Sequence, residues 1–312
     1  MKLDKGTLIT LTMNTSRFAV LITLCITVAA GVYFIVQPMH LHDGETTPSI
    51  VRVGVLPDMS EDNLRQRYEP LLDYLAEETG LDFELVLPSD YTELVRLFGE
   101  HQVDLAYFGG FTYLQAHIMD QAEPLVMRDV DTRFTSLFLV SQDNKAHDLA
   151  EFKGKVFSFG DRLSTSGHLM PRHFMLTEQQ IIPEDFFSEV RYSGAHDKTA
   201  YLVRDGEVDL GVSNSEIIMN MFRDGRLEEN DLRVLSETPP YPDYVWVVHH
   251  HLNEDIKTRL RDAFLGLDMG DAAHSRILAG LGAKSFLPAR FREFLPLKRV
   301  ADDLGMLDLK RR

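Results

Sequence analysis

The chain has a single cysteine, Cys25, among 312 residues. One thiol forms no intramolecular disulfide, and a cysteine-based structural zinc site needs several ligands. Basic charge is also short: 32 Lys and Arg stand against 48 Asp and Glu, a formal net charge of −16. That balance argues against nucleic acid and against a basic membrane-surface protein. It leaves room for a local anion site, which depends on a few aimed donors rather than on total charge. There is one Trp, Trp246, which reads as packing rather than ligand stacking. Charge is missing altogether from residues 18–36, FAVLITLCITVAAGVYFIV.

That run is close to the length a bilayer-spanning helix requires, and Lys2, Lys5 and Arg17 precede it. Cations ahead of an apolar run hold the N-terminus inside and send the following chain out. Val28-Ala29-Ala30 fits a small-x-small cleavage pattern. The run continues to Val36, however, which favours an uncleaved anchor over a cleaved signal segment. The expected divisions are a cytoplasmic N-terminus at 1–17, an anchor or signal segment at 18–36 and a polar linker at 37–50.

Beyond the linker, strand and helix patterns alternate. VRVGVLP (51–57) alternates as a strand, RYEPLLDYLAEETG (67–80) is an amphipathic helix closed by Gly80, and FELVLP (83–88) is a strand. DYTELVRLFGEHQ (90–102) is the next helix and VDLAYFG (103–109) the next strand. This order predicts a parallel α/β sheet. Residues 155–214 repeat it, with "EHQVDLAYFGG" echoed by "DGEVDLGVSNS". Two lobes of similar wiring follow: 51–137 and 138–240, with 241–312 returning to the first. TRFTSLFLVSQ (132–142) and PDYVWVVHHHL (242–252) are the expected crossing strands. Two crossings place a ligand cleft between the lobes and make hinge closure the expected motion.

Several segments resemble one family, in its order along the chain: RVGVLP, DYTELVRLFGEHQVDLAYFGG, LSTSGHLMPRHFML, FFSEVRYSGAHDKTAYLVRDGEVDLGVSNSE and LPARFREFLPLKRVADDLGM. They are similar to the phosphonate-binding periplasmic proteins, the solute receptors of ABC importers for phosphonate, phosphite and related oxyanions. The resemblance implies a type II periplasmic-binding-protein fold on the periplasmic side of a bacterial inner membrane. The ligand would be a phosphonate-class oxyanion, and the partners would be importer membrane subunits or a sensory membrane protein. It also implies site residues: Ser164, Thr165, Ser166, Tyr91 and His196 around the oxyanion, with Glu216 and Asp243 on the amine of an aminoalkyl ligand. Phe134 stands where that family often has a Tyr.

The residues themselves support an anion site. Pro171 lacks an N–H and fits the first turn of a helix, so residues 164–168 form a loop leading into a helix that begins near Gly167–Met170. Free N–H groups and the positive dipole end of such a helix attract anions, and the three hydroxyls add donors without charge. The plainer reading is an N-cap. His196 donates either as neutral imidazole or as the cation. If Glu216 and Asp243 both face the cleft, they favour a zwitterion over a bare anion.

A serine hydrolase built on Ser164 or Ser166 with His196 and Asp197 is the competing class. STSG lacks the G-x-S-x-G frame of a nucleophile elbow, and Asp197 directly follows the His it would orient, so no enzyme is expected. A sulfonate receptor is the other alternative. The run His249–His251 alternates faces along a strand, so its three imidazoles do not converge, and neither a metal nor a cofactor is expected.

Overall fold

Apolar alternation in IVRVGV makes β1 (Ile50–Val55), with Val51, Val53 and Val55 fully buried. The computed structural model describes Pro48 and residues 50–307. The charge-free segment 18–36 lies outside the described residues, and among the described ones no helix is long and apolar enough to cross a membrane.

After β1 come α1 (Glu61–Thr79), β2 (Asp82–Val86), α2 (Tyr91–Gly99), β3 (Leu105–Phe108), α3 (Gly110–Asp120) and β4 (Ala122–Arg128). The chain then builds a second unit from β5 (Ser136–Ser141), β6 (Val156–Phe159), α4 (Met170–Thr177), α5 (Pro183–Phe186), β7 (Glu189–Tyr192), α6 (His196–Arg204), β8 (Leu210–Asn214), α7 (Ser215–Arg223) and β9 (Leu232–Glu237). It returns through β10 (Val245–His249), α8 (Glu254–Gly266), α9 (Ala272–Leu281), β11 (Phe286–Pro288) and α10 (Leu295–Asp303).

The strands form two sheets, ordered β11-β4-β10-β3-β1-β2 and β7-β6-β8-β5-β9. The internal echo is structural: β3 and β8 hold equivalent places, each next to the first strand of its lobe. Neither sheet is wholly parallel. β10 pairs antiparallel with β3, and β5 antiparallel with β8. Each of these two strands arrives from the other lobe at the edge where the parallel strands end, so it has to run back against them.

The crossings themselves are short. Phe134 and Tyr241 exchange backbone hydrogen bonds of 2.7 and 2.9 Å, Asp243 N–H donates to Asp131 O at 2.9 Å, and Thr238 N–H to Ser136 O at 3.0 Å. The two passages therefore make one ribbon between the sheets. Trp246, next along, is buried and packs against Tyr107, Tyr68 and Phe264. Phe134 is also buried, against Tyr241 and Tyr244.

At the base of the ribbon Arg128 and Asp131 form a buried bidentate pair, Nη2–Oδ1 at 2.6 Å and Nε–Oδ2 at 2.8 Å. Removing one partner of such a pair strands a buried charge. Asp131→Ala is therefore expected to lower the unfolding free energy by roughly 3–5 kcal/mol, measured by urea denaturation.

Candidate functional site

Most side chains of the cleft sit just beyond the C-terminal end of a parallel strand, where α/β folds collect ligands, while Asp243 and Tyr244 come from the hinge just before β10. On the first lobe, the β1–α1 loop carries Asp58, and the start of α2 carries Tyr91. Asp90 caps α2 by accepting from Glu93 N–H, which fixes Tyr91 as the first helical residue. On the second lobe, the β6–α4 turn carries Ser164–Ser166, the start of α6 carries His196, and β8 ends at Asn214.

The turn is both a cap and more than a cap. Ser164 Oγ accepts from Gly167 N–H at 2.9 Å, and Leu169 N–H reaches back to Ser164 O at 3.0 Å, so Thr165–Leu169 form a wide π-helical turn ahead of α4. A hydroxyl that accepts this bond keeps its own proton to give elsewhere. The N–H groups of the turn's first residues have no partner inside the helix. Gly167 is required here: a Cβ would stand 2.9 Å from Ser164 Oγ, 3.0 Å from His196 Cε1 and 3.1 Å from Gly160 Cα.

His196 has a defined role. Asn214 N–H donates to its Nδ1 at 3.2 Å, and burial pushes its pKa down to about 3. The ring is therefore neutral with its proton on Nε2, which lies 3.5 Å from Ser164 Oγ. It is a fixed donor, and with its lone pair committed to a backbone N–H it has no base to offer a serine.

The structure brings Tyr91, Ser164, Thr165, Ser166, His196 and Asp243 together, each 1–2 % exposed. Tyr91 Oη and Ser166 Oγ are buried without a protein partner. Thr165 is different from its neighbours, since its Oγ1 accepts from Phe111 N–H of α3 at 3.0 Å. It spans the cleft. Two further bonds join the lobes: His196 N–H to Asp58 O at 3.1 Å, and Ser60 N–H to Asp197 Oδ2 at 3.2 Å. Asp197 thus holds the lobes together and does not orient the imidazole.

Glu216, half-buried at the start of α7, lies apart from the hydroxyl cluster. Its carboxylate sits by Gly282, alongside the guanidiniums of Arg128 and Arg67. It shares with Asp58, Arg67, Arg128 and Tyr244 the wall of a small cavity of about 10 Å³. A larger groove of about 330 Å³ lies further out, between α1 and α7.

Asp58 was not legible as a site residue, yet it is buried here. Its Oδ2 accepts from Tyr244 Oη at 2.9 Å, and Asn214 Nδ2 donates to the same Tyr oxygen at 3.1 Å. Asp243 Oδ1 accepts from Gly110 N–H at 3.0 Å. Oδ1 of Asp58 and Oδ2 of Asp243 have no partner. Burial raises Asp58 to about 6 and Asp243 to about 7, the latter against the opposing pull of Gly110 N–H. His168, next to the turn, points away from the cluster: its Nδ1 bonds Arg162 O at 2.7 Å and its Nε2 accepts from Arg172 Nε at 3.0 Å.

Donors from both lobes, buried in a closed cleft, define a two-lobed receptor for a small anion. Residues 53–294 match the family model of the ABC transporter phosphonate periplasmic substrate-binding proteins, and the chain belongs to that family. Its members are substrate-binding proteins of the periplasm that serve ABC importers. The chain is 27 % identical over 273 residues to a probable phosphite-binding protein of an ABC transporter from Prochlorococcus marinus, covering 84 % of this chain and 92 % of that one. It is 24 % identical over 277 residues to the phosphonates-binding periplasmic protein of Escherichia coli, covering 86 % and 79 %. A solved Prochlorococcus marinus structure in complex with methylphosphonate superposes with a TM-score of 0.77 at 27 % identity, covering 83 % of this chain and all of that one.

Both raised carboxyls make folding take up protons. The stability each contributes is complete below the ordinary Asp pKa near 3.8 and is lost as pH rises through its folded value, about 6 for Asp58 and about 7 for Asp243. The ligand-free protein should therefore lose unfolding free energy between about pH 4 and 7. In Asp243→Asn the loss should become shallower, and its last part, between about pH 6 and 7, should vanish in urea denaturation series.

Proposed function

We propose that the hydroxyl cluster binds a compact phosphonate-class oxyanion, with Tyr91, Ser164, Ser166 and the Nε2–H of His196 as its donors. Thr165 contributes chiefly by tying the turn to α3. The observation that carries this reading is the convergence, from both lobes, of buried neutral donors, two of them without a protein partner. The protein captures the ligand by closing and does no chemistry on it, because the only imidazole at the serines holds its proton where a base would need a lone pair.

Two observations favour a small substituent. The cavity beside the cradle has room for about one water, and Arg67 and Arg128 stand in its wall. A cationic amine there would meet two guanidiniums, and Glu216 is already close to them. This favours methylphosphonate or phosphite over the zwitterion that two free carboxylates would select. The relatives named for phosphite and solved with methylphosphonate support the same size class. Asp58 and Asp243 flank the cradle, and a proton held on either turns a repelling carboxylate into a donor.

A thermal-shift panel of methylphosphonate, phosphite, phosphate, 2-aminoethylphosphonate, methanesulfonate and taurine tests this. Methylphosphonate or phosphite should shift melting most, a ligand at 100 times its Kd adding about 2.7 kcal/mol. A larger shift with 2-aminoethylphosphonate would overturn the size argument, and one with a sulfonate would overturn the ligand class. Tyr91→Phe and Ser166→Ala should each weaken calorimetric affinity by roughly 10–100-fold, as expected for a hydrogen bond to a charged group.

The receptor is also proposed to remain attached to the inner membrane through residues 18–36, which is supported by the apolar run extending past its cleavage-like triplet. In cell fractionation the full-length protein should stay in the membrane pellet after a high-salt wash and leave it only in detergent. Release of a chain shortened at Ala30 into the periplasmic extract would show a cleaved signal instead.

A further inference from the structure

His101, His249 and His251 meet at the pole of the first lobe opposite the cleft. β10 runs antiparallel to β3 and ends at His249, so it carries this histidine to the N-terminal edge of the parallel strands. His250 and His251 follow in the turn after it. Residues two apart share a face, and the third imidazole, His101, comes from the turn between α2 and β3. The ring centroids of His101 lie 4.6 Å from those of both His249 and His251, and the latter two are 4.9 Å apart. One nitrogen from each of the three lies within 4.8 Å of the others.

The hydrogen bonding of His249 gives the cluster its chemistry. Its Nε2 is 2.6 Å from the carbonyl oxygen of Phe98, and a carbonyl accepts only, so the proton is on Nε2. The lone pair is then on Nδ1, which is buried without a partner in a residue only 3 % exposed. A backbone carbonyl that fixes the distal N–H is how proteins orient metal-binding imidazoles. Arg52 anchors the His101 backbone by donating to its carbonyl at 2.6 Å while pairing with Asp104.

We propose that His101, His249 and His251 form a binding site for one divalent transition-metal ion of the Zn(II) type, held by three imidazoles with water in the fourth position. Imidazole ligation suits such ions, with metal–nitrogen distances near 2.0–2.1 Å, and the exposed ring of His101 supplies the movement that draws the three nitrogens together. The ion would staple the α2–β3 turn to the β10–α8 turn, away from the anion cradle.

The test uses the tag-free full chain, stripped of metal. Titration with Co(II) should give the visible absorption bands of tetrahedral coordination at one equivalent, and Zn(II) should abolish them. His101→Gln and His251→Gln should each weaken Zn(II) binding in calorimetry by at least ~10-fold, while methylphosphonate binding, used as the folding control, stays unchanged. His147→Gln, a remote exposed histidine, should bind Zn(II) as the parent does. Zn(II) affinity unaffected by both substitutions, or no saturable binding up to high micromolar Zn(II), would overturn the proposal.

Discussion

The ribbon in which Phe134 pairs with Tyr241 is the constraint on which the rest of the molecule depends. It is an isolated antiparallel bridge between the two sheets, on the passages that lead into β5 and out to β10, and it sets where those strands enter. Because each enters beside the outermost parallel strand of its host sheet, β3 or β8, the C-terminal strand ends of both lobes face one another. The hydroxyl turn, the histidine and the tyrosine are thereby opposed without any of them lying in the hinge. Asp243 belongs to the same ribbon, held by Asp131 on one side and by Gly110 on the other. The cradle and the hinge therefore share a backbone at Asp243.

Charge in the site is handled without a direct cation at the hydroxyls. The first N–H groups of α3 are taken by Asp243 and Thr165, so that helix presents a satisfied end and not an open anion socket. The positive groups, Arg67 and Arg128, stand behind Tyr244 and Asp58, the second of them already engaged with Asp131. In the proposed binding mode, the oxyanion meets a set of neutral donors together with carboxyls whose burial favours keeping a proton. Such a set discriminates by geometry and protonation, as befits a receptor that must release its cargo intact.

Much of this was legible in the sequence, for identifiable reasons. The STSG turn announces itself because three hydroxyls, a glycine and a nearby proline all belong to a helix start. His196 and Tyr91 were assigned through the family resemblance, and the pattern by itself shows only that each opens a helix after a strand. The lobe echo is legible from two similar strand endings. Asp58 was not, since a loop aspartate after a proline looks like ordinary turn chemistry. Its burial depends on Tyr244 and Asn214, which come from the hinge and the other lobe. Glu216 was placed with the ligand by the family resemblance, and only the packing around Gly282 shows it beside two arginines. The histidine run was judged by the alternation of neighbours along one strand, and His101 enters from a turn that local pattern cannot connect to it.

The neutral-donor cradle has a kinetic consequence. The chain as a whole carries a net charge of −16, so at a distance an anionic ligand is repelled, while the contacts that bind it act only at close range inside a closed, water-poor cleft. Dissolved salt screens the first effect strongly and the second hardly at all. Capture should therefore speed up as ionic strength rises while release stays nearly constant, the reverse of the pattern for a receptor that draws its anion in with surface lysines and arginines.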